Sequence, residues 1–178
     1  MAILADILTL MRVPLGLVVV YAGATGGEAA LPHVVWISLL AWTADSVDGH
    51  LRRASAKPTG WVGRHDLTID VFFNACVAAF LTLAGYVSAG LFSLWVGTLG
   101  LLSLKIRSRS GTIITEGFAI LMLIIQAFGR ALALGGAVIG WGILALTLDR
   151  KRFTYRLELF RHGLGLLRKP GPGTPKED

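Results

Sequence analysis

Cysteine and charge are both scarce in this chain. The one cysteine, Cys76, has no partner for an intramolecular disulfide, and nothing near it has metal-ligand spacing, so it reads as a small core residue. Charged residues make up only 16% of the sequence, against 54% hydrophobic ones. A soluble domain of this length carries more charge and less apolar surface. Period-2 alternation is missing from the apolar blocks, which argues against a membrane barrel. No repeat of 20–50 residues is evident, which argues against a solenoid. The net charge of +6 does not point to nucleic acid, because the basic residues sit at the ends of apolar blocks.

What is present is a series of long apolar blocks. A membrane span needs about 20 apolar residues, so about six fit with short loops. Backbone groups in lipid must bond to one another, which leaves helices once a barrel is excluded. The expected fold is therefore all-α, a polytopic six-helix transmembrane bundle. Its spans are expected near residues 8–24, 31–49, 66–87, 90–104, 112–128 and 132–148. The first block begins with Asp6 and has no Lys or Arg before Arg12, so it reads as a span and not as a cleaved leader.

The loops set the expected orientation. The second carries Arg52, Arg53, Lys57 and Arg64, the fourth Lys105, Arg107 and Arg109, and the tail eight more basic residues from Arg150 to Lys176. The first and third loops have none, and the fifth only Arg130. Basic loops stay inside, so both termini are expected in the cytoplasm of a cell membrane protein. Residues 1–149 then form the membrane domain, 150–169 a basic amphipathic surface helix and 170–178 a disordered tail.

Four of the seven aspartates gather at the facing ends of the second and third blocks. Asp45 and Asp48 are three apart and Asp66 and Asp70 four apart, so each pair shares a helix face. A carboxylate within a span costs about 2.5–3.5 kcal/mol on insertion scales, and four together repel one another. Divalent cations remove both problems. Mg²⁺ in particular binds a few carboxylates together with substrate phosphates, and two such ions can clamp a phosphoryl displacement. Asn74, one turn beyond Asp70, reads as a group supporting that site.

The segment Asp45-Ser46-Val47-Asp48-Gly49-His50-Leu51-Arg52-Arg53, continuing to Asp66 and Asp70, resembles the signature of the CDP-alcohol phosphotransferases. That signature reads D-x-x-D-G-x-x-A-R, eight residues, G, three residues, D, three residues, D. Asp45, Asp48, Gly49, Arg53, Asp66 and Asp70 all match in type and spacing. Asp6-Ile7-Leu8-Thr9-Leu10-Met11-Arg12 is similar to the family's leading N-x-x-T-x-x-R, with Asp for Asn. Two positions depart: Arg52 stands where the family has Ala, and Val62 where it has its second Gly. Both are larger than the family's residues and would crowd the approach to a cytidine nucleotide.

The resemblance implies an integral-membrane transferase of phospholipid synthesis. It would move a substituted phosphate from a CDP-linked donor to an alcohol acceptor and release CMP, with its site facing the cytoplasm. It implies two Mg²⁺ or Mn²⁺ ions on Asp45, Asp48, Asp66 and Asp70, with Asp70 also the general base. Gly49, Arg53, Thr9 and Arg12 would bind the donor, and Lys105, Arg107 and Arg109 an acceptor phosphate. Arg12 reads equally as an interfacial snorkelling residue. The family resemblance also implies a homodimer. Two alternatives carry the same acidic residues: a divergent member that binds metal or lipid without turnover, and a cation carrier. A carrier site is expected near the midplane within an internal repeat, and this cluster lies at the ends of its blocks.

In the tail, Phe153, Leu157, Phe160, Leu164 and Leu167 recur at helical spacing, with Arg152, Arg156 and Lys169 around the other sides. The segment is too charged to span and is expected to lie on anionic lipid. A peptide covering 150–169 should be unstructured in buffer and gain helical circular dichroism with anionic vesicles. No gain with vesicles would make the segment a solvated basic tail.

Overall fold

The computed structural model describes residues 2–53, 60–97 and 109–148, and within these the chain is helical with no strand. Helix α1 runs Ala2–Gly26 and leads through a four-residue 3₁₀ turn, Gly27–Ala30, into α2, Leu31–Arg53. A short α3, Trp61–Arg64, precedes α4, Asp66–Leu83. Then come α5, Ala89–Trp95, α6, Arg109–Arg130, and α7, Leu132–Leu148. The sequence places helices in each of these regions but does not anticipate α3. The tail 150–169 and the end 170–178 lie outside the described residues, as do Lys105 and Arg107.

The apolar blocks explain the helices, and glycine explains where several of them turn. Gly27 has φ +50, in the left-handed region that side chains rarely adopt, and it reverses the chain between α1 and α2. Gly85 has φ +77 and ends α4. There Tyr86 N–H donates to the Leu81 carbonyl at 2.8 Å and Gly85 N–H to that of Thr82 at 3.0 Å. This Schellman closure satisfies carbonyls that the helix end would otherwise leave unpaired. Ser88 caps α5 by accepting from Leu91 N–H at 3.3 Å.

Helix α1 packs against both α2 and α4, and α6 packs against α4 and α7. The buried core draws Val19, Val34, Val35, Phe73, Val77 and Phe80 from the first group and Ala119, Leu123 and Val138 from the second. Between α2 and α7, Trp42 and Trp141 lie with ring centroids 5.6 Å apart. Trp141 Nε1–H donates to Thr43 Oγ1 at 2.8 Å.

Among the described residues, one helical stretch, Ile3–Leu51, is long and apolar enough to cross a membrane by length and composition. It comprises α1, the 3₁₀ turn and most of α2. Thr68–Leu83, Ala119–Arg130 and Leu132–Thr147 are shorter apolar helices. Large apolar side chains also face outward along the molecule, among them Leu17, Trp36, Leu40, Leu121 and Ile143.

Two glycines let α1 approach α4 closely. A Cβ on Gly16 would come within 3.1 Å of Cys76 Sγ, and one on Gly23 within 3.3 Å of the Phe80 Cα. Cys76 is buried at this crossing, as a small core residue. Backbone at Phe80 cannot move aside as a side-chain tip can, so bulk at Gly23 must separate the helices. Gly23→Leu should therefore lose about 1–3 kcal/mol of stability. Gly136→Leu, where a Cβ would meet nothing within 4 Å, should lose none. Equal unfolding midpoints for the two variants in detergent would contradict the close crossing.

Candidate metal centre and cavity

Three helices bring the sequence-predicted residues to one place. The tight reversal at Gly27 sets the start of α1 beside the end of α2, and α4 starts at the same level. Thr9 and Arg12 come from α1, Asp45 and Asp48 from the last turns of α2, and Asp66 and Asp70 from the first turns of α4. Asp45, Asp48 and Asp66 each offer a carboxylate oxygen, and these lie within 4.8 Å of one another.

Arg12 sits at the middle of this group and is only 2% exposed. Its Nη1 donates to Asp45 Oδ1 at 3.1 Å, and its Nη2 to Asp48 Oδ2 at 2.8 Å and Asp66 Oδ1 at 2.9 Å. Nη1 also pairs with Asp70 Oδ1. One guanidinium thus bridges all four aspartates. Its planar fork of donors suits several carboxylates at once. Thr9 Oγ1 lies 2.6 Å from Asp48 Oδ2 and 3.0 Å from the Ala5 carbonyl. A hydroxyl has one proton to give, so it donates to one of these at a time.

The geometry adds to the sequence reading of Arg12: its forked end is directed at the carboxylates themselves. Desolvation is the physical reason: a buried guanidinium needs anionic partners, and these are within reach. Asp70 differs from expectation in degree. It joins the group through Arg12, whereas the close triad is Asp45, Asp48 and Asp66. Gly49 lies half-buried within α2 beside Asp48. Val62 lies half-buried on α3. The side chains of Arg52, Arg53 and Arg109 lie outside the described residues.

The triad could hold a metal ion by donor chemistry, since three hard carboxylate oxygens lie close together. The same carboxylates are held by Arg12. A metal ion bound here would compete with the guanidinium for one set of acceptors.

Beside the cluster opens a cavity of about 470 Å³ between α2, α4, α6 and α7. Arg12, Asp45, Ser46 and Asp70 form its polar end. The remaining wall is apolar apart from Asn74 and the indoles of Trp42 and Trp141. Asn74 is 3% exposed. Its place one turn beyond Asp70 is visible in the sequence, but its position on the cavity wall is not. Trp42 and Trp141 carry no sequence signal beyond being aromatic. No family model, curated protein or solved structure matches the chain.

The bridging role of Arg12 has a measurable consequence. Removing one partner of a buried ion pair costs about 3–5 kcal/mol, because the others are left uncompensated. Arg12→Met should be destabilised by about that amount in chelator. Added Mn²⁺ should restore much of the loss and should shift the variant's unfolding midpoint more than the wild type's. Equal metal-induced shifts in the two proteins would show that Arg12 and metal do not share the site.

Proposed function

We propose that this protein is an integral-membrane transferase of the CDP-alcohol phosphotransferase type. In this reading the apolar helices form six spans, both termini face the cytoplasm, and the aspartate cluster opens on that side. The observation that carries it is the meeting of Asp45, Asp48, Asp66 and Asp70 around one point. These residues stand at the spacing of the family signature, next to a cavity able to admit a substrate. The outward-facing Leu, Ile and Trp side chains support a lipid surrounding, because a soluble monomer rarely exposes so much large apolar surface.

The roles follow from position. Asp45, Asp48 and Asp66 would hold the divalent ions, with Asp70 completing the set. Bound ions would neutralise the donor diphosphate and orient its phosphorus for in-line attack. Asp70, which lines the cavity, would accept the proton of the acceptor hydroxyl. The hydroxyl oxygen forms the new bond to phosphorus, the bond from phosphorus to the CMP oxygen breaks, and CMP leaves with that electron pair. With the carboxylates taken up by metal, Arg12 would be free to pair with the donor diphosphate, the role the family resemblance also gives Arg53. Thr9 holds Asp48 in place.

A second reading, a member of the same family that binds lipid without turnover, rests on Arg12. The guanidinium supplies a countercharge that needs no metal. The two readings part in one assay. The purified full chain, with Mg²⁺ or Mn²⁺ and a panel of CDP-linked donors and alcohols, should release CMP from at least one pair. Asp66→Asn and Asp70→Asn should each lower that rate by at least about 100-fold, as loss of a metal ligand and of a general base require. Absence of CMP from every pair in folded, metal-bound protein would favour the non-catalytic reading.

A further inference from the structure

Three buried polar atoms on residues that line the cavity have no hydrogen-bond partner among the described residues. Two are Asn74 Oδ1, an acceptor, and Trp42 Nε1–H, a donor, and the third is Arg12 Nε–H, at the charged end. Each orphaned group of this kind costs about 1–3 kcal/mol, and native proteins leave few of them without a reason. Asn74 and Trp42 line the same space as Asp70. A hydroxyl both donates and accepts, so a single ligand group of this kind can answer the acceptor of Asn74 and the donor of Trp42.

The rest of the cavity constrains what carries that hydroxyl. Its far wall is built by Ile120 and Ile124 of α6 and by Val138, Ile139 and Leu146 of α7. Nothing there could replace the water around a charged or polyhydroxylated body. The volume of about 470 Å³ lies within the range of small-molecule sites.

From these features we infer that the cavity binds a hydrocarbon-chain alcohol, with its hydroxyl at Asn74 and its chain between α6 and α7. The inference rests on the transferase reading in one respect only: it makes this alcohol the acceptor whose proton Asp70 takes. The apolar part of this space would not hold a water-soluble acceptor such as a glycerol phosphate.

The test reads binding alone, without donor or metal. The full chain in nanodiscs is labelled with a photoreactive long-chain alcohol, and the adducts are mapped by mass spectrometry. Competition is then measured with hexadecanol, with hexadecyl methyl ether and with glycerol 3-phosphate. Adducts should fall on the cavity-facing residues of α6 and α7. Hexadecanol should compete about tenfold or more better than the ether, which keeps the chain but has no proton to donate. Asn74→Leu should narrow that gap while labelling persists. Should the variant fail to fold, the alcohol–ether comparison in the wild type stands without it. Adducts elsewhere, equal competition by alcohol and ether, or displacement by glycerol 3-phosphate would each overturn the alcohol site. Discriminating labelling in a protein that releases no CMP would uphold the site and overturn the transferase reading alone.

Discussion

The ion pairs of Arg12 with four aspartates are the constraint on which the candidate site depends. Four carboxylates converging from α2 and α4 would push those helices apart if nothing lay between them. The guanidinium offsets part of that repulsion and ties α1, α2 and α4 together at one end. Its burial makes the attraction strong and makes its loss costly, since each carboxylate would then face the others in a weakly screened surrounding. The close crossing at Gly16 and Gly23 holds α1 and α4 together farther along. The charged end and the apolar stem of this three-helix unit therefore enforce the same arrangement.

The second half of the fold serves a different purpose. Helices α6 and α7 pack on α4 and α2 through apolar contacts and one indole–hydroxyl hydrogen bond. They complete a cavity whose polar groups all come from the first half or from the tryptophans. The chemistry-bearing residues thus sit on the tightly tied helices, and the apolar wall on the helices that cover them. In the proposed transferase, such a division would keep reacting groups fixed while the shape of the wall selects the ligand.

Much of this was legible in the sequence, for identifiable reasons. Apolar blocks of helical length mark α1, α2, α4, α6 and α7, because a continuous apolar run leaves a helix few alternatives. The acidic cluster was visible because Asp45, Asp48, Asp66 and Asp70 stand where carboxylates are expensive. The place of Arg12 was not, since its long side chain reaches several destinations from one backbone position, and only the packing of α1 chooses among them. The α3 turn was hidden for a similar reason: Trp61-Val62-Gly63-Arg64 is too short to show a period. The orphaned state of Asn74 depends on what its neighbours fail to offer, and a linear pattern carries no record of that.

The four-residue turn at Gly27–Ala30 bears on how the molecule assembles. With so short a reversal, α1 and α2 meet as soon as both are helical. Arg12 and Asp48 are 36 positions apart along the chain. Their encounter nonetheless requires only the closing of that turn, and not of a loop of that length. The first two aspartates thus share one countercharge within a local hairpin. When α4 docks, its two acidic residues meet a guanidinium already in place, which lessens the repulsion of the step that would otherwise be the most unfavourable in folding.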